Sequence, residues 1–76
     1  MLVALSMRFY FNLAKGDQRI FDRAGLELTH EAVMSPSVFQ IVRRIWPGTT
    51  DATGWEGWSV EIVDSDGHLM RVIALV

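Results

Sequence analysis

Two segments of this chain carry the pattern of a β-hairpin, and a single helix-length segment lies between them. The first hairpin reads Arg8 to Leu13, a loop over Ala14, Lys15, Gly16 and Asp17, then Gln18 to Phe21. The second reads Trp58 to Val63, a turn over Asp64, Ser65, Asp66 and Gly67, then His68 to Val76. Alternating apolar and polar residues around a glycine-bearing turn are what paired antiparallel strands require. The layout predicts an α+β domain of ββαββ order, two hairpins forming a four-stranded sheet packed against one helix. The sheet is antiparallel or mixed, and hairpin logic leaves its strand order open.

Ser35 and Pro36 mark the start of the helix. Serine is a favoured N-cap, and proline at the first helical position loses no hydrogen bond. Val38, Ile41 or Val42, and Ile45 then recur at helical spacing, and Arg43 and Arg44 fall where cations suit the helix dipole. Pro47 and Gly48 stop the helix. Thr29 to Met34 offer a preceding turn, which Pro36 keeps from joining one straight helix. Gly25, in the connector from Asp22 to Leu28, permits a turn at positive φ. Residues 48–57 read as a loop.

The turn of the second hairpin can be weighed against its side chains. A three-residue loop of Ser65, Asp66 and Gly67 sets Asp64 opposite His68, Ile62 opposite Met70, Val60 opposite Val72 and Trp58 opposite Ala74. One face is then wholly apolar, and on the other Glu61 faces Arg71, a pair worth a few tenths to about 1 kcal/mol. A two-residue turn over Asp66 and Gly67 would set Arg71 among Trp58, Val60 and Ile62, burying an unpaired cation. The three-residue loop is the expectation.

In the first hairpin, a Lys15-Gly16 turn, or the four-residue loop sharing its register, pairs Phe11 with Ile20 and Tyr10 with Phe21. Phe9, Phe11, Leu13 and Ile20 then face the helix. The opposite face carries Arg8, Tyr10, Asn12, Arg19, Phe21 and Arg23, joined from the second hairpin by Val63, Leu69, Arg71, Ile73 and Leu75. One helix covers only one side of such a sheet. The candidate interaction face is therefore Arg8, Tyr10, Arg19, Phe21, Val63, Leu69, Arg71, Ile73 and Leu75.

Composition narrows what that face can meet. At 76 residues there is room for one small core, and half the residues are hydrophobic, which excludes a disordered chain. No cysteine is present to brace the domain, so self-association is the natural substitute for a disulfide or thiolate metal site. A net charge of −2 gives no global pull toward nucleic acid or anionic membrane. No apolar run approaches the roughly 18–20 residues of a membrane span, and the opening six residues lack the basic start of a signal peptide. Residues 1–6 read as an N-terminal extension, residues 7–76 as the domain, and the setting as cytoplasmic.

Two occupants compete for the open face. Exposed apolar patches usually mark protein contacts, which points to a homodimer or another protein partner. The alternative is single-stranded nucleic acid stacked on Tyr10 and Phe21, with Arg8, Arg19 and Arg71 on phosphates. It lacks an RNP-type signature and has Glu61 inside the patch.

Other motifs carry less. Asp64, Ser65, Asp66 and Gly67 resemble a fragment of a calcium loop, but position 75 is Leu where the closing glutamate belongs. His30-Glu31 lacks the second histidine of a zinc helix. His68 has no nucleophile beside it, and Ser35, Ser37 and Ser59 have no evident histidine. Trp58 reads as a core aromatic and Trp55 as a lid over the core edge. No catalytic, cofactor-binding or metal-ligating residue is assigned, and the domain reads as non-enzymatic.

Arg8-Phe-Tyr-Phe-Asn12, Gly16-Asp17, Asp22-x-x-Gly25-x-Glu27-Leu28 and Trp58-x-Val60-Glu61-Ile62-x-Asp64-x-Asp66-Gly67 together resemble a family of short domains of unknown function common in rhizobia and related alphaproteobacteria. The resemblance runs from Met7 to about Ile73. It implies a bacterial, cytoplasmic, stand-alone domain and brings no activity or site residues with it. This chain departs from the pattern at Ser35-Pro36-Ser37, which interrupts the family's alanine-rich helix, and at Asn12, where many members carry histidine. The resulting expectation is a non-catalytic interaction module that self-associates through its open sheet face.

Overall fold

One long strand organises the sheet. A computed structural model describes residues 5–48 and 54–75. Strand β1 spans Ser6–Lys15, β2 Gln18–Ile20, β3 Leu26–Thr29, β4 Ser59–Asp64 and β5 Leu69–Ala74, with helices α1 at His30–Met34 and α2 at Val38–Ile45. The fold is α+β, and all strand pairs are antiparallel, in the order β2-β1-β4-β5, with β3 also on β1. Phe9 pairs with both Leu26 of β3 and Asp64 of β4. The helical segment therefore carries the chain from one side of β1 to the other.

The second strand of the first hairpin comes in two pieces. β2 pairs with Leu13 to Lys15, β3 pairs with Ser6 to Phe9, and the chain between them leaves the ladder opposite Phe11. The turn is Gly16-Asp17, with Lys15 opposite Gln18 and Leu13 opposite Ile20. This corrects the Lys15-Gly16 expectation by two residues. The cause is backbone geometry: a II′ turn needs positive φ only at its first central residue, and Gly16 supplies it at 56°. An even shift keeps the paired side chains of β1 and β2 on their expected faces, although Ile20, at the edge, is 43% exposed. Phe9, Phe11 and Leu13 accordingly point inward and are buried.

The second hairpin keeps its three-residue loop but not its register. Asp64 N–H donates to His68 O at 3.0 Å and Gly67 N–H to Asp64 O at 3.0 Å. Beyond the turn, a β-bulge at Met70 shifts the pairing, so that Ile62 faces Arg71, Glu61 faces Val72 and Val60 faces Ile73. An odd shift exchanges faces. Ile73 and Leu75 turn inward and are buried, at 5% and 8% exposure, while Val72 turns out at 53%. Burying Ile and Leu instead of Val and Ala removes more apolar surface from water, at about 25 cal/mol per Å². The inward Arg71 is not unpaired: its guanidinium donates to Val33 O at 2.8 Å and Ser35 O at 2.9 Å, carbonyls at the end of α1.

The turn over Thr29 to Met34 forms a short helix of its own, and the main helix starts at Val38 with Ser37, not Ser35, as its N-cap. Thr29 caps α1, its Oγ1 accepting from Ala32 N–H at 3.2 Å, and Pro36 ends that turn of helix. Ser35 Oγ accepts from Ser37 N–H at 3.1 Å just ahead of α2. Val33, Val38 and Val42 of the helices are fully buried against Phe9, Phe11, Leu13, Val60 and Ile62. Both helices thus cover one side of the sheet. Ser6 pairs with Thr29 inside the sheet, although it was assigned to the extension. Residues 1–4 of that extension, 49–53 of the loop and Val76 lie outside the described residues. Among the described residues, no helix is long and apolar enough to cross a membrane.

Candidate functional site

The helices leave the other side of the sheet uncovered, although Asn12 and Ala14 on it are buried, at 8% and 4% exposure. Strand alternation places Arg8, Tyr10, Asn12 and Ala14 of β1 there, with Ser59, Glu61 and Val63 of β4 and Val72 and Ala74 of β5. Leu69 joins them opposite Val63, and Arg19 opposite Ala14. Of the expected face, Arg8, Tyr10, Arg19, Val63 and Leu69 are brought together. Arg71, Ile73 and Leu75 are not: the bulge at Met70 sends them to the helix side. Phe21 sits just past β2 at 60% exposure, beside the face rather than within the ladder. Val72 is the member that sequence reasoning missed, since both neighbouring registers offer apolar residues.

The cations on this face are engaged by the chain itself. Arg19 Nε lies 3.0 Å from Glu61 Oε1, and Arg19 also donates to Gly16 O at 2.7 Å and Gln18 O at 2.9 Å. Arg8 lies 3.6 Å from Glu27 and donates to Ala24 O at 2.8 Å. Each exposed pair is worth no more than about 1 kcal/mol. Their effect is to leave the face apolar at Tyr10, Val63, Leu69 and Val72, with its positive charge locally balanced.

At the break between β2 and β3, Asn12, Asp22 and Gly25 act as scaffold. Strand alternation turns the Phe11 N–H and C=O toward the missing stretch of ladder. Asp22 Oδ2 accepts from Phe11 N–H at 3.0 Å, and Trp46 Nε1 donates to Phe11 O at 2.8 Å. Asp22 Oδ1 also accepts from Ala24 and Gly25 N–H, while Asn12 Oδ1 accepts from Asp22 N–H at 3.0 Å. Asn12 is the only buried polar residue among those described. At Gly25, φ is +69°, and a Cβ would stand 2.9 Å from both Arg8 Cγ and Tyr10 Cε2. A side chain there would push the connector off the sheet.

The tip of the second hairpin gathers Asp64, Asp66 and His68, whose ligand-type atoms lie within 4.8 Å of one another. Asp64 Oδ1 accepts from Asp66 N–H at 3.0 Å and His68 N–H at 2.8 Å, and Oδ2 lies 3.3 Å from His68 Nδ1. The His68 backbone bond is the main reason that the Asp64 carboxyl titrates below its ordinary 3.8. These contacts describe an Asx turn that shapes the loop. Ser35 and Ser37 hydroxyls bond one another at 2.8 Å, and Trp55 meets Trp58 edge to face at 5.5 Å against the core. His30 and Glu31 are exposed in the first turn of α1. No pocket opens among the described residues.

A family model described as a domain of unknown function (DUF6894) matches residues 8–76. No curated protein and no solved structure matches the chain.

Proposed function

Because the chain belongs to the DUF6894 family, a domain of unknown function, we propose its role from its surface: a non-catalytic interaction module that self-associates through the open sheet face. The observation that carries this reading is the face itself. Two helices cover one side of the sheet, and the other presents Leu69 and Val72 at 56% and 53% exposure beside Tyr10 and Val63. Apolar residues grouped in this way favour a protein contact. The local Arg19–Glu61 and Arg8–Glu27 pairs leave little net charge to repel a second copy. A domain this small, without cysteine, also gains from added buried area. A cytoplasmic setting belongs to the same proposal.

The single-strand alternative draws less support. Of its three cations, Arg71 reaches the carbonyls of α1, and Arg8 and Arg19 are held by glutamates. Light scattering at tens of micromolar tests the main reading. A dimer that Leu69→Lys dissociates supports it; a monomer throughout removes it. Salt-sensitive binding of a short single strand, lost in Tyr10→Ala, would favour the alternative instead.

A further inference from the structure

Asn12 and Ala14 lie on the side of the sheet that no helix covers, yet both are buried. The strand register identifies their cover. Arg19 of β2 stands directly opposite Ala14, and Glu61 of β4 directly opposite Asn12, so both side chains rise from the open face on either side of β1. They meet above it: Arg19 Nε donates to Glu61 Oε1 at 3.0 Å and Nη2 to Oε2 at 3.4 Å. The pair is a strap laid across β1 over Asn12 and Ala14. Its two ends are held unequally. Arg19 Nη1 also donates to Gly16 O at 2.7 Å and Gln18 O at 2.9 Å, while the Glu61 side chain makes no other hydrogen bond among the described residues.

The residue under the strap is only half satisfied. Asn12 Oδ1 accepts from Asp22 N–H at 3.0 Å, but Asn12 Nδ2 meets no acceptor among the described residues. A buried donor without an acceptor is costly, whereas an exposed ion pair contributes little. The carboxylate best placed to take that donor is Glu61 itself, the direct cross-strand neighbour, whose side chain has only to turn from Arg19 toward β1. We infer that Glu61 is a two-position switch on the open face, shared between Arg19 and the Asn12 side-chain amide. With Glu61 on Arg19, the strap is closed and the guanidinium is fully engaged. With Glu61 on Asn12, Arg19 stays anchored at the β2 turn through Nη1, and its Nε and Nη2 N–H groups are freed for an outside acceptor. The freed groups lie two residues from the exposed Phe21. The switch sits on the surface of the self-association reading but does not depend on a second copy being there.

Side-chain N–H exchange, read by NMR in the full-length chain, separates a switch from a fixed lid. Raising salt from about 0.01 M to about 1 M weakens the ion pair far more than a bond to the neutral amide. Arg19 Nε–H exchange should then speed up by about two- to fivefold, the range an exposed pair contributes, while Asn12 Nδ2 exchange slows. Arg19→Gln should likewise slow Asn12 Nδ2 exchange, because Glu61 moves onto it. A fixed lid predicts the opposite sign, since its removal bares Asn12. Glu61→Ala should abolish the salt response at Asn12. Both substitutions are at exposed side chains, and far-ultraviolet circular dichroism serves as the fold control. Unchanged or faster Asn12 exchange in folded Arg19→Gln, or a salt-induced slowing that persists in Glu61→Ala, would overturn the switch. Should either variant unfold, the wild-type salt series decides: Arg19 and Asn12 exchange moving in opposite directions supports the switch, and moving together or not at all refutes it.

Discussion

Replacing Asp22 with alanine tests whether one carboxylate stands in for a missing stretch of β-strand. Asp22 accepts three backbone N–H groups, from Phe11 at 3.0 Å, Ala24 at 3.2 Å and Gly25 at 3.0 Å. The Phe11 bond matters most, because β2 and β3 end on either side of it and the donor is part-buried. A hydrogen bond to a charged acceptor contributes about 1.5–3 kcal/mol, and the more exposed Ala24 donor is readily taken by water. The expected loss in Asp22→Ala is about 2–4 kcal/mol, out of about 4–11 for a domain of this length. With a urea m-value of about 1 kcal/mol/M, the unfolding midpoint should fall by about 2 M or more. Asp22→Asn keeps one acceptor oxygen and places a donor where the other stood, so it recovers either the turn bonds or the Phe11 bond, not both. Amide exchange at Phe11 should accelerate in Asp22→Ala, and in Asp22→Asn if its oxygen stays on the turn amides. A midpoint shift under about 0.5 M, with Phe11 still protected, would refute the strand-surrogate role.

Adjacent positions on β5 should respond oppositely to charge: Val72→Lys should cost under about 0.5 kcal/mol and Ile73→Lys more than about 3, measured by urea unfolding. The sequence-based register predicts the reverse. Gly25→Ala should destabilise by about 1–3 kcal/mol, since it combines a φ of +69° with a 2.9 Å approach to Arg8 and Tyr10, and a neutral result would mean that the connector is free to shift. The lowered Asp64 carboxyl favours the folded state above its unfolded pKa. That contribution is lost as pH falls below about 3.8 and through the lower folded value. An NMR titration of the Asp64 side chain with a midpoint at or above 3.8 would contradict this.

Period-two alternation was enough to place Phe9, Phe11, Leu13, Val60 and Ile62 inward, because each strand there has a single apolar face. It failed on β5 for a physical reason. Val72 with Ala74 and Ile73 with Leu75 are both apolar pairs, so only Arg71 could break the tie. A buried Arg71 would be unpaired if only the hairpin could supply its partners. Its actual partners, Val33 O and Ser35 O, belong to a helix end that no hairpin pattern reveals. The break at Asp22 was hidden in the same way, since it requires a side chain from α2's end, Trp46, to complete it. The open face was legible as a consequence of having too few helices, and so were its members Arg8, Tyr10, Arg19, Val63 and Leu69; its β5 members beyond Leu69 were not, because one bulged residue changes them.

Sedimentation equilibrium of the intact chain, from sub-micromolar to tens of micromolar, bears most directly on whether the uncovered side of this sheet serves a second copy. Concentration-dependent dimers or larger assemblies are expected, with Leu69→Lys lowering their stability. A single monomeric species across that range would contradict it.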